Sequence, residues 1–246
     1  MLNTRNATAL IALSFMTTAT ASELSIGAGA VYNESPYRGY NENTHVVPLI
    51  SYEGESLYIR LTTLGYILSK SEKNEISITA SWMPLEFSPS DNDDHAMRHL
   101  DKRDSTAMAG AAWYHHEKWG SLKVSAATDI LDNSDGWVAE MSLFRVMPLG
   151  KLTLTPSAGV LYYDKSFNDY YYGISAGESY RSGLSSYSPD DSWTPYLGVG
   201  AKYPLTKNII LQASAMYSVL PDDIKNSPMV DREDSFTFLT GASWHF

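Results

Sequence analysis

The sequence predicts an all-β fold, a transmembrane antiparallel up-and-down β-barrel of about twelve strands with short periplasmic turns and long outer loops. Three observations carry this reading. The chain opens with an export signal. Stretches of about ten residues alternate apolar and small polar side chains, and the connections between them alternate between short and long.

Residues MLNTRNATALIALSFMTTATASE begin with positive charge at the amino terminus and Arg5, run apolar from Ala7 to Met16 and reach a small-x-small site at Ala19-Thr20-Ala21. This is the build of a secretory signal peptide. Cleavage is expected between Ala21 and Ser22, giving residues 1–21 as signal and 22–246 as barrel. The apolar run falls short of the ~20 residues a spanning helix needs, which makes an N-terminal anchor the weaker reading.

An exported chain with no cysteine takes its stability from packing or from a membrane, without disulfides. Counts of 17 Tyr, 7 Phe, 6 Trp and 16 Gly suit strands and turns. Asp and Glu number 28 against 18 Lys and Arg, a net charge of -10. That balance argues against a nucleic-acid partner, whose phosphates select basic surfaces.

In chain order, ELSIGAGAVY sets Leu24, Ile26, Ala28, Ala30 and Tyr32 against Ser25, Gly27 and Gly29. SLKVSAATDI sets Leu122, Val124, Ala126 and Ile130 against Ser121, Lys123, Ser125 and Asp129. KLTLTPSAGVLY and IILQASAMYSV repeat the pattern, and SFTFLTGASWHF carries it to the last residue. A soluble sandwich also alternates. Here, however, the polar faces are Ser, Thr, Gly and Gln, suited to a lumen, and the apolar faces end in Tyr32, Trp82, Trp113, Tyr162, Tyr203, Tyr217 and Trp244, as an interfacial girdle requires.

HEKWG, MPLGK and YPLTKN are tight connections, whereas residues 33 to 45, 84 to 105, 163 to 193 and 220 to 234 are long and polar. Strands are expected near 23–32, 46–53, 56–62, 65–70, 74–83, 105–116, 120–131, 136–147, 150–163, 194–203, 208–219 and 235–246. LYIRLTTLGYILS must split at Thr62-Thr63 to keep the number even, and ten strands is the alternative. Pro156 interrupts a strand without a free edge, so a bulge is expected there.

Chemistry is sparse. DNDDH, Asp91 to His95, lacks the glycine and terminal Glu of a calcium loop and reads as a solvated outer loop. His115 and His116 are adjacent and face opposite sides of a strand. Ser, His and Asp are plentiful, but no G-x-S-x-G elbow is present. His95 and His99 are the best candidates for a rim hydrolase site. No catalytic, cofactor or metal residue is assigned. SFNDYYYGISAGESYRSGLSSYSPDDSW reads either as a recognition platform or as a segment whose Tyr170, Tyr171 and Tyr172 extend the girdle or fold over the mouth.

Specific motifs resemble the MipA/OmpV family of outer-membrane proteins, the MltA-interacting proteins. They are Tyr37-Arg38-Gly39, Pro48-Leu49, Tyr171-Tyr172-Gly173 followed by Glu178-Ser179 and Ser182-Gly183-Leu184, Ser227-Pro228 with Asp231, and the terminal Phe246. The resemblance spans essentially the mature chain. It implies an outer-membrane barrel without known catalytic activity and without cofactors, and a namesake described as a scaffold between a lytic transglycosylase and a peptidoglycan synthase. Resemblance to barrel proteins generally makes Gly241, Trp244 and Phe246 an assembly signal for the insertion machinery, although Leu239 stands where a polar residue is usual.

The expected function is therefore a non-enzymatic outer-membrane barrel linked to envelope and peptidoglycan organisation. Its expected partners are outer-membrane lipid, the insertion machinery and a periplasmic transglycosylase or synthase. A narrow porin-like channel for small solutes is the alternative, and a surface hydrolase is the third reading.

Overall fold

The computed structural model describes residues 23 to 40 and 43 to 246. The expected cleavage between Ala21 and Ser22 lies outside them. The strands are β1 (Glu23–Asn33), β2 (Asn43–Glu53), β3 (Leu57–Arg60), β4 (Thr63–Lys70), β5 (Asn74–Met83), β6 (Thr106–Glu117), β7 (Gly120–Asp129), β8 (Trp137–Phe144, resumed at Met147–Leu149), β9 (Leu152–Tyr163), β10 (Ser192–Pro204), β11 (Ile209–Val219) and β12 (Asp234–His245). Thirteen hydrogen-bonded segments make twelve staves, because the two parts of β8 pair with the same neighbour in one register, Ser157 opposite Phe144 and Leu154 opposite Met147.

Each stave pairs with the next, and β12 returns to β1 from Ser25 opposite His245 to Asn33 opposite Thr237. The sheet is a closed antiparallel barrel. Closure pairs the first strand with the last, as β-structure in a bilayer requires. Alternation has its expected sense on β12: Phe238 and Trp244 are exposed to the outside, while Thr237, Leu239 and Ser243 are buried toward the lumen. Along the outer wall, Trp137, Tyr162 and Trp193 pack in tilted contact with centroids 4.7 and 4.8 Å apart, a segment of aromatic girdle.

The doubtful stretch divides as parity demands. Arg60 pairs with Thr63, leaving Leu61 and Thr62 as a two-residue turn with Leu61 at φ 53°. Opposite Pro156 the ladder skips Arg145 and Val146 without losing register, so the expected bulge is replaced by a pause in pairing. Arg145 N–H still donates to the Pro156 carbonyl at 3.1 Å.

Among the described residues three short α-helices rise from the outer loops, α1 (Lys165–Tyr172), α2 (Ala176–Ser182) and α3 (Asp222–Lys225). Asp164 caps α1 by accepting from Phe167 N–H. Ser175 and Glu178 form a reciprocal capping box on α2, which ends at Gly183 with φ 76°. The largest apolar cluster lies among these loops, above the staves.

Candidate functional site: a roofed outer mouth and a charged lumen

Four outer loops supply one core. Tyr37 comes from the first, Leu85, Phe87, Met97 and Leu100 from the loop after β5, Phe167, Tyr171 and Ile174 from the loop after β9, and Leu220, Ile224, Met229 and Val230 from the last. Burying such side chains stabilises by roughly 1.5–3 kcal/mol each, enough to hold connections that lack a ladder. Tyr37 packs on Phe87 at 5.1 Å and on Tyr172 at 5.6 Å, and its hydroxyl donates to the Tyr171 carbonyl at 3.1 Å. Tyr171 in turn donates to the Asp104 carbonyl at 3.0 Å.

Polar contacts lock the same dome. The Arg103 guanidinium donates to the Gly173 carbonyl at 3.1 Å and to Glu178 at 2.7 Å, with both side chains buried. Burial alone would raise the Glu178 carboxyl. The Ser175 and Asp101 N–H groups and Arg103 outweigh it and hold Glu178 at about 2. Asp94 is lowered in the same way. Burial raises it, and the Met97 and Ala96 N–H groups with the Arg38 guanidinium, 2.9 Å away, prevail. Asn92, fully buried, donates to the Arg38 carbonyl at 2.7 Å, so DNDDH is a dome fastener as well as a solvated loop.

Beneath the dome the lumen is not lined by small neutral residues alone. Arg60 forks onto Glu53 at 2.7 and 2.9 Å and reaches Glu75 at 3.4 Å, lying 3.7 Å over the Tyr58 ring. Tyr58 shares a 2.9 Å hydrogen bond with Ser77 and leans across Gly65, where a Cβ would stand 2.0 Å from its ring. A second group joins Lys123 to Glu140 at 2.6 Å, and the Tyr196 hydroxyl donates to Glu140 at 2.7 Å. These buried charges are paired, as burial requires. The sequence reading missed this set. The available signal was a lone charge at a lumen position, Lys123 on the polar face of β7 and Glu140 on that of β8.

With this geometry in place, the family model described as "MltA-interacting protein MipA" matches residues 26–246. The chain belongs to that family. It is 68% identical over 246 residues, 100% of both chains, to the "Putative outer membrane protein YiaT" of Escherichia coli (strain K12). It is 41% identical over 237 residues, 96% of each chain, to the "MltA-interacting protein" of the same strain. Among solved structures, an outer membrane channel from Pseudomonas putida F1 matches with a TM-score of 0.50 at 8% identity, covering 95% of this chain and 97% of that one. This likeness speaks to the fold alone. The protein is an outer-membrane protein, and its relatives carry the names of outer-membrane proteins rather than of enzymes.

The outer-loop residues that carried the resemblance converge in the dome, whereas Pro48 and Leu49 lie on β2 and Phe246 at the chain end. Tyr37 meets Tyr171 and Tyr172 as described. Arg38 N–H donates to the Met229 carbonyl at 2.8 Å, and Ser227 Oγ, beside Pro228, donates to the Tyr172 carbonyl at 2.6 Å. Gly39 has φ 73°, and a Cβ there would lie 2.3 Å from Asn92 Oδ1. Gly173 accepts from Arg103. These motif residues are thus neighbours from three loops.

The chain-end residues sit apart at the barrel seam. A Cβ on Gly241 would lie 2.5 Å from the Ala28 carbonyl oxygen and from Leu49 Cδ1, while Trp244 and Phe246 are exposed on the outer side. His115 packs on outward Trp113, and His116 stacks on lumen-facing Tyr114. His95 and His99 have rings 4.9 Å apart on the exposed top of the dome, with His99 Nδ1 2.9 Å from the His95 carbonyl. No nucleophile accompanies them in the contacts of the described residues.

Proposed function

We propose that the protein is a non-enzymatic structural barrel that organises the envelope from its periplasmic end, by holding a component of the peptidoglycan machinery. The observation that carries this reading is the roof. Four loops packed into one apolar core cover the outer mouth, which favours a fixed wall element over an open diffusion pore. The name of the relative that is 41% identical, an MltA-interacting protein, supports a periplasmic transglycosylase as the class of partner. The periplasmic turns expose Trp119, Leu149 and Leu205, and a stable partner needs about 800 Å² of surface. One turn is too small, so the partner grips several. Photocrosslinkers at Trp119 and Leu205 in intact envelopes should capture a transglycosylase or synthase. Recovery of lipid alone would dismiss the scaffold.

A channel for small solutes is the second reading. The hydrophilic groups of the lumen favour it. Bilayer conductance separates the two.

A further inference from the structure

Above the β3–β4 turn the barrel wall is incomplete. β3 pairs with β2 only at Ser51, Tyr52 and Glu53. Residues 43 to 50 of β2 are laddered to β1 and, among the described residues, to no strand on the other side. β4 begins at Thr63 opposite Ser81, and above it the Trp82 N–H donates to the Thr62 carbonyl at 3.0 Å. Two staves, each ~4.8 Å wide, are therefore missing from the outer part of the wall between β2 and β5. Pro48 falls in the open stretch, and proline within sheets is tolerated at edges.

The gap is apolar on its outer face and largely apolar on its inner one, where His45 is the polar neighbour. Outside it, Val46, Ile50 and Trp82 are exposed where lipid lies. Inside, buried Val31, Leu49 and Leu239 form a cluster against which Val47 and Leu61 pack, in a lumen otherwise built of small polar and charged groups. Leu61 reaches the cluster from a left-handed conformation that a leucine rarely adopts. A strained residue at an opening is the kind of feature that marks a functional position.

Leu49 and Ile50, neighbours on opposite faces of β2, line one cavity together with Leu61. Arg60 lines that cavity and also a second one, which reaches outward-facing Trp82. An unpaired strand edge at membrane depth is tolerable where it lines a cavity, and costly where it meets only hydrocarbon.

We infer that the gap is a lateral portal through which one aliphatic chain of an outer-membrane lipid enters the lumen and lies against Leu49, Leu61 and Leu239. Position fixes the source: the opening faces the lipid belt, and the dome covers the mouth above. This inference does not depend on the periplasmic partner.

The test uses the full-length protein in phosphatidylcholine vesicles containing phosphatidylcholine with a doxyl group midway along one acyl chain. The chain has no cysteine, so single bimane labels can be placed at Leu61→Cys on the turn, Ile50→Cys on the lipid face, and Ser142→Cys, which faces the lumen behind a complete wall. Quenching of the Leu61→Cys label should rise with doxyl-lipid fraction in parallel with Ile50→Cys, while Ser142→Cys stays at the level of doxyl-free vesicles. Quenching at Leu61→Cys no greater than at Ser142→Cys would overturn the portal. If Leu61→Cys loses heat-modifiable gel migration, Val47→Cys takes its place with the same two outcomes.

Discussion

The Tyr37 hydroxyl donates to the Tyr171 carbonyl at 3.1 Å across 134 positions of sequence, joining the first outer loop to α1. Both residues are buried and belong to the dome core. Tyr37→Phe keeps the ring and removes the bond, leaving a buried carbonyl short of a donor at about 1–2 kcal/mol. Where cleavage tracks the open population, tryptic nicking at Arg181 on α2 should rise ~5–30-fold, while heat-modifiable migration of the barrel stays intact. An unchanged nicking rate would mean the dome does not rely on this bond.

Gly241→Val should block the seam between β12 and β1. Its side chain has no room against the Ala28 carbonyl oxygen, 2.5 Å from the Cβ position, or the Gly29 Cα at 2.6 Å, and both are backbone that cannot rotate away. Folded, heat-modifiable protein in the outer membrane should fall severalfold. Wild-type yield would show that the seam relaxes around a larger residue and that Gly241 is not needed for closure.

Acid should loosen the dome before the barrel. Glu178 titrates in the folded state at about 2, below the ~4.3 of an unfolded glutamate. A depressed carboxyl contributes stability that is fully present above the unfolded value and is lost as pH falls through the folded one. Asp94 shifts in the same direction. Peptic cleavage within residues 84 to 105 and 163 to 193 should therefore climb between pH ~4.3 and about 2. Glu178→Gln should be cleaved readily within residues 163 to 193 across that window, with a weaker dependence on pH than the wild type.

In the lumen, Glu140→Gln removes the counter-charge 2.6 Å from Lys123 and weakens the acceptor for the Tyr196 hydroxyl. Breaking a buried pair from one side costs about 3–5 kcal/mol, whereas replacing both partners by apolar residues can be neutral. Urea unfolding in detergent should show that loss for Glu140→Gln. The double variant Lys123→Met with Glu140→Leu should recover most of it.

The staves were readable because one face of each meets lipid and the other the lumen, and that division writes itself into Ile26, Ala28, Trp113, Leu197 and Trp244 as a two-residue period. The division of LYIRLTTLGYILS followed from parity, and its length already implied halves too short to span alone; what alternation did not show is that β3 pairs with β2 over so short a ladder. The dome was legible as motifs and not as an assembly. Tyr37, Tyr171 and Ser227 lie far apart in sequence, and nothing periodic in loops announces that they meet. The lumen was half legible: Ser, Thr and Gly predicted a small polar lining correctly over much of the wall. Arg60 and Glu75 are single charges whose pairing depends on registers that alternation does not specify.

The central claim is that this outer-membrane barrel is roofed and does not serve as an open pore. Planar-bilayer recording of the refolded wild-type protein tests it most directly. The structure predicts no stable ohmic openings, and deletion within residues 163 to 193 should produce them. Steady single-channel conductance from the intact protein would contradict the account.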